Sequence, residues 1–237
     1  MKMYRLSLLA ISHSILAFTI PNPKNLHFTQ DFSKNVLYIS SIDHLEIQKQ
    51  IERDIQVQNV LTLARRLGPV GSLVSDDDQT QLESMANELI PWSDPKPSHV
   101  ILSGVHNLVY SASPGSSSGR IGNSPFYGRV TQHFLDQDTN PTISSKSDRS
   151  FVNSVEFGPL VVSLRASKSI KNETTNLVYF HQTTIQFLGI TILDKQIKGG
   201  GFWEYLFMGT IIDTDGQKKL IRIMKTPSLF ILEQPLN

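Results

Sequence analysis

The stretch from Phe202 to Gln234 constrains the fold of this chain most. It reads as three antiparallel strands, at 202–213, 219–225 and 228–234. Asp215-Gly216 joins the first two, because both central residues of a two-residue type I′ turn need φ > 0. Thr226-Pro227 precedes the third, where a residue without an N–H donor belongs at a strand end or turn. The first strand has no clear polar face. By alternation Trp203, Tyr205, Phe207 and Ile211 fall on one side, and Phe202, Leu206, Met208 and Ile212 on the other. A strand of this kind is covered on both sides, or meets a core on one side and an apolar partner on the other.

Upstream material completes and caps that sheet. From His99 onward the chain is all strand and turn: 101–111, 129–135, 151–157, 160–167, 176–189 and 191–197 precede the last three. About nine short strands without helical pattern between them predict a mainly β domain, an antiparallel barrel or sandwich. Gly104, Gly199 to Gly201 and Gly209 favour the coiled barrel, because glycines relieve tight corners. The polar loops 113–126 and 136–150 are long enough to form a mobile rim.

Two helices are expected before the barrel. In the first, 41–67, Asp43 and Glu46 form a capping box and Ile47, Ile51 and Ile55 make a stripe. Val60, Ala64 and Leu67 continue it after a one-residue slip, which predicts a kink near 56–58, and Gly68-Pro69 ends the helix. In the second, Thr80 and Glu83 form the box and Leu82, Met85, Ala86 and Leu89 line one face up to Pro91. Asp76 to Asp78 feed charge to its N-terminus. Residues 91–99, with three prolines, form an extended linker.

Further upstream, Lys2 and Arg5 precede a short apolar run ending at Ala17-Phe18, which predicts a signal peptide over 1–17. The segment 18–40, with Lys24 and Lys34, is similar to the transit part of a bipartite plastid presequence. The expected organisation is therefore presequence to 40, helices and linker at 41–98, and barrel at 99–237.

Composition excludes several chemistries. With 22 basic and 21 acidic residues, the chain lacks the charge excess of a nucleic-acid binder. With no cysteine it has no disulfide, thiolate metal site or cysteine nucleophile. Gly115 to Gly119 matches G-x-S-x-G, but the residues after it cannot form the helix that a nucleophile elbow needs. The seven histidines show no metal-ligating spacing. No catalytic residue, metal or cofactor is expected.

Several stretches together resemble a family. They are Gly104 to Ser111, Val130-Thr131-Gln132-His133-Phe134, Val152 to Val155, Trp203, Ile212-Asp213, Ile221 to Lys225 and Leu229 to Leu232. With the preceding helices they are similar to the plastid lipid-associated proteins, or fibrillins, over roughly residues 44–235. Ile211 and Lys225 depart from the family pattern, where Tyr and Arg are usual. The resemblance implies a lipocalin-like antiparallel β-barrel with two N-terminal helices packed on it. It also implies thylakoid or plastoglobule association and non-catalytic binding of a carotenoid, prenylquinone or acyl lipid. The alternatives are a subunit or assembly factor of a photosynthetic membrane complex, and an enzyme of isoprenoid or pigment metabolism using His181 or Tyr110 as acid/base.

The expected ligand-binding residues are Trp203, Tyr205, Phe207, Arg222, Tyr110, Gln132 and His181. Leu206, Met208, Ile221 and Ile223, rimmed by Lys219 and Lys225, form a membrane-facing patch if the helices leave them uncovered. Counting back from a two-residue turn sets Gly209 opposite Arg222, on a face with Trp203, Tyr205, Phe207, Ile211 and Asp213. An arginine there keeps its charge, so it needs Phe207 or Tyr205 stacked on it, with a carboxylate as the stronger partner. It either orients a ligand's polar head or forms a buried ion pair.

Overall fold

The computed structural model describes the backbone at residues 32–113, 118–120, 127–135 and 149–236, and side chains from residue 44 except Arg149. The expectations for residues 1–31 and for most of both polar loops lie outside the described residues. The chain divides into two compact units, 1–45 and 46–237, and the second holds the barrel and every side-chain contact described below.

That unit is a closed barrel of eight antiparallel strands, each paired with its neighbours in sequence and β8 paired back to β1. The strands are β1 (Gly104–Ser111), β2 (Arg129–Phe134), β3 (Arg149–Phe157), β4 (Leu160–Ile170), β5 (Thr175–Phe187), β6 (Ile190–Ile212), β7 (Lys218–Lys225) and β8 (Leu229–Pro235). The expected strands at 191–197 and 202–213 are one element, because β6 runs straight through Gly199 to Gly201. Gly200 sits there for closeness rather than for a corner: a Cβ on it would lie 2.6 Å from the Val178 carbonyl oxygen. Residues 190–204 of β6 pair with β5 and residues 204–212 with β7, so one long strand staggers across the barrel.

α1 (Phe32–Leu67) runs without interruption and contains no glycine or proline, so the helix does not break at 56–58. Gly68, left-handed at φ 80°, ends it by donating its N–H to the Ala64 carbonyl. The slip in its apolar pattern marks a change of face. Val57, Val60, Leu61 and Ala64 are buried against the barrel, whereas Ile47, Ile51 and Ile55 are exposed. α2 (Asp76–Asn87) starts earlier than expected: Ser75 is its N-cap, accepting from the Asp78 N–H, and Asp76 to Asp78 fill its first turn. Leu82 and Ala86 on α2, and Leu89 just after it, join the cluster under α1. Each buried leucine among them contributes about 1.5–3 kcal/mol by leaving water.

The proline-rich linker forms two short 3₁₀ turns, with Pro97 and Ser98 buried. It covers the edge of β6 beyond the end of β5. The Met208 N–H donates to Ser93 Oγ (3.0 Å), and its carbonyl accepts from the Asp94 N–H (2.9 Å).

Two irregularities set the register of the last hairpin. Its loop is three residues long: Asp213 N–H donates to the Gln217 carbonyl, and Gly216 takes the left-handed conformation at φ 79°. Leu206 is then an extra residue, because Tyr205 pairs with Met224 and Phe207 with Ile223. Arg222 therefore faces Met208, and Gly209 faces Ile221. Leu206 and Phe207 both join the outer cluster under the helices, while Trp203, Tyr205 and Met208 face inward.

Candidate functional site

Alternation along each strand sends one set of side chains into the barrel: Phe134 from β2, Phe151 from β3, Trp203 and Tyr205 from β6, and Met224 and Phe230 from the last two strands. Phe134, Phe151 and Trp203 form an aromatic group whose ring centroids lie 4.9–6.3 Å apart. Arg222 is fully buried against it, its guanidinium carbon 5.1 Å from the Trp203 ring, 5.2 Å from Phe134 and 5.9 Å from Tyr205. Such contacts are each worth about 2 kcal/mol when desolvated.

The charge has no carboxylate partner among the described residues. Arg222 Nη1 donates to Gln132 Oε1 at 2.6 Å, Nη2 reaches only the Met224 sulfur, and Nε has no partner. Burial lowers its pKa, against an upward pull from the Tyr205 hydroxyl, but a guanidinium still stays protonated. Gln132 in turn donates through Nε2 to Asn153 Oδ1 at 2.9 Å. His106, also fully buried, packs edge-on to Phe134 with neither ring nitrogen in a well-formed hydrogen bond. Burial and then the Arg222 charge push its imidazole down to about 3, with a weaker opposing pull from the Ser103 backbone.

Beside this group opens a cavity of about 270 Å³. Val130, Val155, Val162, Leu164, Val178 and Phe230 supply its apolar wall with Trp203, and Gln132, Asn153, Thr183 and Thr226 are the polar side chains in the lining. Its lining thus suits a mostly apolar body, with the bonded Gln132–Asn153 pair as its amide group.

Three of the expected ligand residues belong here: Trp203 and Gln132 line the cavity, and Arg222 stands behind Gln132. Tyr205 packs in the same inner group without lining the cavity. The others do not. Phe207 is turned to the outer cluster by the bulge at Leu206. Tyr110, turned outward after the β1 irregularity, is buried in that same cluster against Gly71. His181 is the extra residue where β5 breaks register with β4, is exposed, and bonds to Ser167 Oγ at 2.7 Å. The expected membrane-facing patch is also corrected. Leu206, Ile221 and Ile223 are buried in the outer cluster with α1 and α2, and Met208 points into the barrel. Asp213 lies outside as well, pairing with Arg65 of α1 (2.6 Å) and with Lys219 (2.6 Å).

The residues that sequence reading missed are Asn153 and His106. A polar residue inside a small barrel reads as solvent-facing until its partner is known, and only the alternation Phe151, Asn153, Val155 marks the shared face. No family model, curated protein or solved structure matches this chain.

Proposed function

We propose that the barrel binds and holds an apolar small molecule without transforming it, at a plastid lipid surface. Carotenoids, prenylquinones and acyl lipids are the classes that the fibrillin resemblance implies. The observation that carries this reading is the cavity itself: an apolar wall from six strands, ending in a hydrogen-bonding pair rather than in a nucleophile and base. A long apolar tail gains about 0.8 kcal/mol per buried CH₂, so affinity needs no charge pairing. The test is lipid extraction and mass spectrometry of protein purified from its native source. The reading expects one apolar lipid class retained in near-stoichiometric amount, and recovery of protein with no lipid above background would reject it.

A lipid surface would meet the barrel at the β5–β6 hairpin tip rather than under the helices. Phe187, Leu188, Ile190, Ile192 and Leu193 are all exposed there, with Lys195 and Lys198 behind them. Leu188 holds the left-handed conformation at φ 52°, which glycine or asparagine usually takes. Flotation with anionic vesicles should weaken in the Leu188→Ser, Ile190→Ser double variant. Undiminished flotation by that folded variant would exclude the tip, and comigration with a membrane protein complex would point to a protein partner instead.

A further inference from the structure

We propose that the molecule held in the cavity carries a hydrogen-bond acceptor, a carboxylate or a carbonyl, and that Asn153 Nδ2 donates to it. This rests on the barrel interior being a binding site, and it fixes the polarity that the site presents.

The Arg222 guanidinium can only donate. Its bond to Gln132 is therefore made by the amide oxygen, at 2.6 Å. With that oxygen committed, the Gln132 NH₂ is the group left to face Asn153, and it donates to Oδ1 at 2.9 Å. Asn153 is then fixed in turn, with its oxygen occupied and its NH₂ left over. An amide alone can be turned either way, but a chain anchored on a donor-only group at one end cannot. Among the described residues Asn153 Nδ2 has no protein partner, and Asn153 lines the cavity.

Charge points the same way. Among the described residues no Asp or Glu lines the cavity and no carboxylate pairs with the guanidinium behind Gln132. Each donation also polarises the next amide, so the terminal N–H is a stronger donor than that of an isolated asparagine. An ammonium head, which only donates, would meet a donor backed by a cation. A carboxylate or carbonyl oxygen meets its complement.

The experiment is calorimetric titration of the full chain with three probes of equal chain length: dodecanoate, methyl dodecanoate and dodecylammonium. Wild-type protein should bind the two acceptor-ended probes at least tenfold more tightly than dodecylammonium. Asn153→Asp can still accept from Gln132 yet presents an oxygen to the cavity, so the preference should reverse. If that variant does not fold, the Asn153 side-chain NH₂ resonances of the wild-type chain should shift on titration with dodecanoate and stay still with dodecylammonium, and resonances unmoved by bound dodecanoate would overturn the donor. Binding of none of the probes would remove the binding reading and this inference with it. Binding of all three within twofold would leave the cavity as a lipid site and overturn the donor. A preference for dodecanoate that survives in the folded variant would overturn it equally.

Discussion

The two sides of the C-terminal strands differ in how their polar groups are satisfied. On the outside, Asp213 accepts from Arg65 and Lys219, Arg65 also reaches Glu233 at 2.6 Å, and Lys219 also holds Asp215 at 2.7 Å. This clasp ties α1 to the β6–β7 loop and to β8, beside a sealed cluster of leucine, isoleucine, valine and Phe207. On the inside, among the described residues, Arg222 has one strong partner and no carboxylate, and its Nε and both His106 nitrogens lack well-formed bonds. A cavity adjoins them. The outer charges are paired, although the Tyr110 hydroxyl and Gln58 Oε1 are buried there without a partner. A buried charge with no carboxylate among the described residues, beside open volume, marks the inner side as a site.

Truncation should separate the two sides most strongly. Phe207 is fully buried in the outer cluster, so Phe207→Ala is expected to lower unfolding free energy by about 3–5 kcal/mol in urea titration. Val162 is half-buried and already borders open volume, so Val162→Ala should lose less than about 1.5 kcal/mol. Equal losses would mean that the cavity is as tightly filled as the helix-covered side.

The clasp comes next. Asp213→Asn removes the charge that Arg65 and Lys219 share, and because Arg65 is partly exposed the loss should be about 2 kcal/mol at neutral pH. The bonds from Arg65 and Lys219 outweigh burial and hold the Asp213 carboxyl well below the usual carboxylate range. Its stabilisation is therefore fully present above the unfolded carboxylate pKa and is lost as pH falls through the lower folded value. Acid titration of stability should show a steeper fall below about pH 5 in wild type than in Asp213→Asn.

His106 titrates in a separate window. Its folded pKa is depressed to about 3, so its contribution is fully present above the unfolded value near 6.5 and is lost progressively as pH falls toward 3. Between those limits it adds a slope approaching about 1.4 kcal/mol per pH unit. His106→Leu should flatten that slope and change stability at pH 7 by only about 1 kcal/mol, because the ring nitrogens hold no well-formed bonds to lose. A slope unchanged in the variant would place the titrating group elsewhere.

Much of this architecture was legible from local chemistry. Period-two apolar runs located the strands, Gly68-Pro69 the end of α1, and the Asp213 to Gln217 region the last hairpin loop. A buried arginine among aromatics followed from the parity of Trp203, Tyr205 and Arg222. The register did not follow, because the hairpin loop has three residues instead of two and Leu206 is inserted without any break in hydrophobicity. The inserted Leu206 exchanged the expected sides of Phe207 and Met208, turning the first outward and the second inward. In α1 the sequence offers two apolar stripes, and periodicity cannot say which one finds a partner. The Gln132–Asn153 bond joins two strands and leaves no local trace.

The smallest effect is expected where β6 is exposed. Ile192→Ser should change stability by no more than about 0.5 kcal/mol, because Ile192 packs on neither cluster.

The contrast between the two sides is tested most directly by titrating isotope-labelled full chain with methyl dodecanoate and following side-chain NH resonances. The account predicts saturable shifts at Gln132, Asn153 and the Trp203 indole, with the Arg65 guanidinium resonances unmoved. Shifts centred on Arg65 and the α1 amides, with the Asn153 and Trp203 signals unchanged, would contradict it.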